Sequence, residues 1–197
     1  MTAKYIADTI KKILSKNQDL LEIAFRQRAK FEGWLKFEIA KEFQKSGKDT
    51  KVEYPIADLF ADKVLPELYR NTEVERLIQR GHVDLFAENC LIELKTPNTS
   101  YTCEGVDPKT RPITDNVNSI ISDVDKLRNI TEGLSYDSFI AFVMFPIDTN
   151  KKYMGHVNKI ENHIQAQGLK ITKAQRTVRI KSIPALSIPA LVYVAKV

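Results

Sequence analysis

The chain has 197 residues, 43% hydrophobic and 28% charged, with a formal net charge of +5. That length suffices for one well-buried domain, and no run of about 18 apolar residues exists to span a bilayer, so a helical membrane protein is excluded and a soluble one expected. The N-terminal Met1-Thr2-Ala3-Lys4-Tyr5-Ile6 lacks the apolar core of a secretion signal and only Cys90 and Cys103 are present, so free thiols in a reducing, cytoplasmic setting are expected.

Tyr5-Ile6, Ile10 and Ile13-Leu14 recur at helical spacing and predict a short docking helix ending near Lys16-Asn17. From Asp19 to Ser46 a longer helix is predicted, with Leu21, Phe25, Phe31, Trp34-Leu35, Ile39 and Phe43 on its apolar side and Gly47 closing it; Gly33 is its weak point. Glu38, four residues after Trp34 and seven after Phe31, sets a carboxylate beside that stripe, where Lys41 or Lys45 would be its structural partner. Lys51–Ile56 alternates as a strand through Val52, Tyr54 and Ile56. Residues 57–79 form a mostly helical insertion, with Arg76 and Arg80 in surface ion pairs with Glu73 and Glu75 or in reach of phosphate.

The next segment carries chemistry. His82–Ala87 and Cys90–Thr96 read as two strands joined by a turn at Glu88-Asn89. Side chains alternate across a strand, so Glu93 and Lys95 share one face and Ile92 and Leu94 the other. The turn can then bring Asp84 beside Glu93. Like charges that close raise each other's pKa unless a cation joins them, and hard oxygen ligands suit Mg²⁺, with Mn²⁺ as a substitute. Such an ion lowers the pKa of a bound water and polarises a phosphoryl oxygen, while an adjacent lysine orients the attacking water and offsets charge. The chemistry indicated is phosphodiester hydrolysis. A Glu-x-Lys pair alone is common on exposed strands; here both strands are otherwise apolar, and charge in a central strand needs a reason.

Beyond the motif, Thr96-Pro97-Asn98 stops the strand, and Thr99–Ile113 is a long polar loop in which Lys109 and Arg111 are candidate DNA contacts, Arg111 with the option of reading a base. Thr114 or Asp115 caps a helix marked by Val117, Ile120-Ile121, Val124 and Leu127, with Asp123, Asp125, Lys126 and Arg128 facing outward. Phe139–Phe145 is a continuous apolar run, a strand buried on both faces. A helix over Lys151–Gln167 and strands near Arg176–Ile183 and Ala190–Ala195 complete the chain, with Pro184 and Pro189 confining the segment between those strands to a loop.

Asp84, eight intervening residues, then Glu93-Leu94-Lys95 resembles the PD-(D/E)xK nuclease superfamily, whose members include type II restriction endonucleases, junction resolvases and repair nucleases. Its core order of helix, three-stranded meander, helix and strand can be followed from about Asp19 to Pro146, two-thirds of the chain; Val83 stands where the name-giving proline would be. The resemblance implies an α/β fold with a restriction endonuclease-like core, a central mixed β-sheet flanked by α-helices. It implies a single domain over 1–197, its core at about 19–146 and residues 147–197 extending the sheet. It further implies that Asp84, Glu93 and the Leu94 backbone carbonyl bind Mg²⁺, that Lys95 assists the nucleophile, and that Glu38 on the first core helix adds a metal ligand, with Glu42 the runner-up.

Lys plus Arg against Asp plus Glu number 12 and 7 over residues 1–51, 4 and 8 over 52–88, and 14 and 10 over 89–197, so acid collects around the motif and base on the flanks. Lys170, Lys173, Arg176, Arg179 and Lys181 form a basic stretch free of acid, either a polyanion-binding surface or a solvated face. His82 shares a face with Asp84 and could line the site; His156 and His163 lack zinc co-ligands. With no Gly-rich phosphate loop and no Ser or Cys nucleophile turn, no organic cofactor is expected. The expected activity is that of a Mg²⁺-dependent DNA endonuclease, most like a type II restriction enzyme acting as a homodimer. The rivals are a structure-directed repair or junction nuclease and a non-catalytic module that binds nucleic acid or protein.

Overall fold

In the computed structural model, which describes residues 1–61, 73–108, 112–132, 134–166, 168, 170–182 and 186–197, three helices open the chain: α1 (Ala3–Lys16), α2 (Gln18–Arg26) and α3 (Glu32–Lys45). There follow β1 (Thr50–Pro55), a 3₁₀ turn (Ile56–Phe60), α4 (Glu73–Arg80), β2 (His82–Ala87), β3 (Cys90–Lys95), α5 (Thr114–Thr131), β4 (Asp137–Met144), α6 (Met154–Ala166), β5 (Lys173–Ser182) and β6 (Leu186–Lys196). The strands make one mixed sheet in the order β1-β2-β3-β4-β6-β5, parallel only between β3 and β4. The fold is therefore α/β with a helix-flanked mixed sheet, and the C-terminal strands belong to that same sheet.

β4 is central because every residue from Phe139 to Met144 is apolar and can be buried on both faces. Phe139, Ala141 and Val143 pack toward α1, α2 and α3 together with Ile6, Ile10, Phe25, Leu35 and Phe43. Ile140, Phe142 and Met144 pack toward α5 and α6 with Val117, Ile120, Val124, Val157 and Ile160. A third, smaller cluster at the β1 end gathers Ile56, Leu59, Ile78, Val83, Leu91 and Leu127. Among the described residues no helix is long and apolar enough to cross a membrane. Cys90 and Cys103 are free thiols.

The single helix expected over Asp19–Ser46 is two. Arg28 takes the left-handed conformation at φ 51 and breaks the ladder. Its buried guanidinium donates to the backbone carbonyls of Thr99, Tyr101 and Asp107, and its own carbonyl accepts from Asn98 Nδ2 at 2.7 Å. The break thus serves to pin the loop after β3, which Thr99 also ties to the β4 end through Phe145 and Pro146. α5 starts with Ile113 at the N-cap, without a side-chain cap from Thr114 or Asp115. Pro189 lies inside β6, opposite Arg179, and not in a loop; β4 pairs with β6 only from Leu191 onward, so the missing N–H falls where that ladder has ended. Pro184 lies outside the described residues, as do residues 62–72 of the insertion expected at 57–79; its described ends are helical, in the 3₁₀ turn and α4.

Candidate active site

The β2–β3 hairpin turns on Glu88 and Asn89, both left-handed at φ 47 and 61, as a tight two-residue connection requires. Its ladder pairs Ala87 with Cys90, Phe86 with Leu91 and Leu85 with Ile92, and then stops. Continued one step it would set Asp84 against Glu93. In place of a main-chain partner, the Leu94 N–H donates to Asp84 Oδ2 at 2.8 Å, so the carboxylate closes the fork between the strands.

The backbone on the other side of Asp84 explains how it is reached from both helical layers. The β1–β2 ladder skips the pair Glu53 and Asp84, and Glu53 has φ 49. Val52 and Leu85 belong to the core under α1–α3, whereas Tyr54 and Val83 belong to the core near α4. Residues two apart on a regular strand share a face, so both strands switch faces at Glu53 and Asp84.

Around this seam eight charged side chains meet. Lys36 of α3, itself buried, donates to Asp84 Oδ1 at 2.7 Å and to Glu53. Lys126 of α5 donates to Glu93 and, at 2.6 Å, to the His82 carbonyl. Lys95 stands 3.1 Å from Asp123 Oδ2 and 3.8 Å from Glu32 Oε1. The Asp123 contact is close enough for an ion pair, yet not aligned as a hydrogen bond, and Asp123 Oδ2 is buried without another partner. Five carboxyls, Glu32, Glu53, Asp84, Glu93 and Asp123, thus face three ammoniums, Lys36, Lys95 and Lys126.

The two central acids respond in opposite senses. Burial raises the Asp84 pKa, but the Lys36 hydrogen bond and the Leu94 N–H outweigh it and hold Asp84 below the usual carboxylate range. Glu93, 3% exposed, is pushed up to about 8 by burial and by the neighbouring Asp84, with Lys126 only partly opposing. Burial likewise raises Glu32 and Asp123. For Lys36 and Lys95 burial alone would depress the pKa, but their carboxylate partners reverse it. The cluster holds more acid than its lysines neutralise.

Sequence spacing found Asp84, Glu93 and Lys95, and these three stand at the seam; Leu94, between the last two, contributes its N–H to Asp84 and its side chain to the core. The structure does not bring Glu38 there. Its carboxylate is 3.5 Å from Lys41, and Glu42 pairs with Lys12 and Lys45, which hold it at about 2. The acid that α3 brings to the cluster is Glu32, because the helix starts only there and its buried stripe runs through Leu35, Lys36, Ile39, Ala40 and Phe43. Asp123 and Lys126, expected to face solvent, face the site. His82 is exposed and offers only its carbonyl. Lys173 pairs with Glu161 and Arg176 with Asp8, while Arg179 meets Ser187 Oγ at 3.4 Å. All three lie on β5, three strands from β3, roughly 14 Å away at the usual strand spacing. Lys109 and Arg111 lie outside the described residues.

Among the described residues no three His, Cys, Asp or Glu side chains are arranged to hold a metal ion. The pair Asp84 and Glu93 nevertheless fits Mg²⁺ by donor chemistry, since that ion is commonly held by one or two carboxylates with waters completing its shell. The excess of acid over the three lysines is charge that a divalent cation would offset. Comparison of the chain with protein-family models, with curated proteins and with solved structures gives no match.

Proposed function

We propose that the protein is a divalent-metal-dependent endonuclease that hydrolyses DNA phosphodiester bonds. The observation that carries this is the meeting of the Asp84 and Glu93 carboxyls at a buried strand fork, with Lys95 on the same face of β3 as Glu93. Buried ion pairs seldom repay their desolvation, so a fold gains little from such a cluster unless it does chemistry. Asp84 and Glu93 are the residues that would hold Mg²⁺ or Mn²⁺, with the Leu94 carbonyl beside them. A divalent ion so held acidifies a bound water and polarises a phosphoryl oxygen. Lys95, steadied by Asp123 and Glu32, offers an ammonium to the phosphate and the attacking water. Lys36 and Lys126 keep the two carboxyls apart from solvent and oriented until substrate and ion arrive.

The order α3, β1–β2–β3, α5, β4 agrees with the PD-(D/E)xK core and supports placing the chain near that superfamily. Within it, a type II restriction-like enzyme suits a chain of this size, and cutting both strands of a duplex calls for a homodimer. The test is cleavage of plasmid and phage DNA with Mg²⁺, with Mn²⁺ and with chelator, beside Lys95→Ala. Discrete metal-dependent bands lost in the variant are expected. A metal-dependent smear would favour a structure-directed or non-specific nuclease, and no cleavage of linear, branched or single-stranded nucleic acid would leave a non-catalytic binding module.

A further inference from the structure

Beside the carboxylate cluster a cleft of about 380 Å³ opens between the starts of α3 and α5, with Lys30, Glu32, Lys95, Thr96, Asp115 and Asn116 in its wall. Several features of that wall suit an anion. α5 is 18 residues long and begins at the cleft, and its N-cap Ile113 makes no side-chain capping bond, so the first-turn N–H groups present the positive end of a long helix dipole with no side-chain cap. Independently, Thr96 is 2% exposed and its Oγ1 is buried with no hydrogen-bond partner among the described residues. A buried hydroxyl without a partner is unfavourable, and because Thr96 lines the cleft, a turn of its side chain about χ1 would carry the hydroxyl to a ligand oxygen there. Lys95, paired with Asp123 and Glu32, lines the cleft, as does the exposed Lys30, so two ammoniums border it.

Two acids share the space. Glu32 leans to Lys95 at 3.8 Å, whereas Asp115 sits exposed in the first turn of α5 and competes for the helix end. A ligand anion must therefore displace or outbid Asp115, which sets the affinity low without removing the donors.

We infer that this cleft is a phosphate-binding subsite, built to hold a phosphate group of a nucleic-acid strand next to the phosphodiester at Asp84 and Glu93. Its affinity for phosphate rests on the helix end, Thr96 and the two lysines alone. Which phosphate of the strand it holds rests on the nuclease proposal, because Lys95 borders both the cleft and the carboxylate cluster.

The experiment is a titration of the metal-free protein, in chelator, with inorganic phosphate and with the dinucleotide pTpT, followed at the backbone amides by NMR. Both probes should give saturable shifts at Thr96 and at Thr114–Asn116, with pTpT the tighter. Thr96→Val, which exchanges an unpartnered hydroxyl for a methyl and so should keep the fold, is expected to weaken binding roughly tenfold, as is Lys30→Ala on the surface. Asp115→Asn should strengthen it. Shifts that are absent, that centre on β5, or that ignore all three substitutions would overturn the subsite. No metal or cleavage enters this measurement, so the two proposals fail separately. Phosphate bound here by a protein that never cuts nucleic acid would retain the subsite and refute the nuclease. Cutting without these shifts would refute the subsite alone.

Discussion

The two edges of β3 are built on opposite principles. Toward β4 the ladder is unbroken from Cys90 opposite Asp137 to Lys95 opposite Phe142, and the β4 side chains from Phe139 to Met144 are apolar and at most 1% exposed. Toward β2 the ladder stops at Ile92, and five carboxyls and three ammoniums fill the seam that follows. Apolar packing of the first kind stabilises a fold directly; buried charge of the second kind does so poorly. The contrast teaches how the sheet divides its work: β4 fixes the position of Glu93 and Lys95, and the open edge presents the charges on which the proposed chemistry rests. A site that breaks local rules inside an otherwise consistent core is where function is to be sought.

Substitutions on the open edge should break the comparison most sharply. Asp84→Asn and Glu93→Gln are expected to lower metal-dependent cleavage by roughly 100-fold or more while circular dichroism shows the fold kept; either variant retaining most of its activity would detach the seam from the chemistry. Next in size, Lys36→Met leaves Asp84 buried without its main partner and should destabilise by about 3 kcal/mol in denaturant unfolding. Combining it with Asp84→Asn should return part of that loss, the signature of a coupled pair.

Acid and base should separate the two edges as well. Glu93 rises from an ordinary 4.5 to about 8 on folding, so the folded state holds a proton that the unfolded state releases between those values. Stability contributed by that proton is present below pH 4.5 and is lost as pH climbs through 8, a fall on the order of a few kcal/mol. Glu32 and Asp123, also raised, add in the same direction, whereas Asp84 is depressed and loses its contribution only as pH drops below about 3.8. Unfolding midpoints of wild type and Glu93→Gln should run parallel below pH 4.5 and separate as pH climbs toward 8, the wild type losing stability that the glutamine keeps. Curves parallel throughout would place the pH response elsewhere. The smallest effect separates the helix acids: Glu32→Gln should slow cleavage several-fold and Glu38→Gln should leave it within about twofold, as befits a surface pair with Lys41. The reverse order would restore Glu38 to the site.

Much of the sheet was legible because period-two alternation and turn residues are local signals. β2, β3 and the continuous run of β4 were readable from them, and Asp84, Glu93 and Lys95 followed from the hairpin. Their partners depend on which helix face meets the sheet, and that is settled by distant contacts. Phe31 and Trp34 suggested a stripe that would carry Glu38; the break at Arg28, held by carbonyls some 70 residues away, starts α3 later and turns Glu32 and Lys36 inward. A lysine between Leu35 and Ile39 was the available clue. On α5, Asp123 and Lys126 stand three apart and match Lys95 and Glu93 in charge, a complementarity that a helix obliged to cover β3 makes readable. Pro189 stands in a strand against its local turn signal because β4 pairs with β6 only from Leu191 onward, a limit set by a strand far away in sequence.

The central claim is that the Asp84 and Glu93 pair is a divalent-cation site, and calorimetric titration of Mn²⁺ and Mg²⁺ into the intact protein at neutral pH tests it most directly. Saturable binding that disappears in both Asp84→Asn and Glu93→Gln, and persists in Lys95→Ala, is the predicted result. Binding that is absent from the wild type, or that survives both carboxyl substitutions, would contradict it.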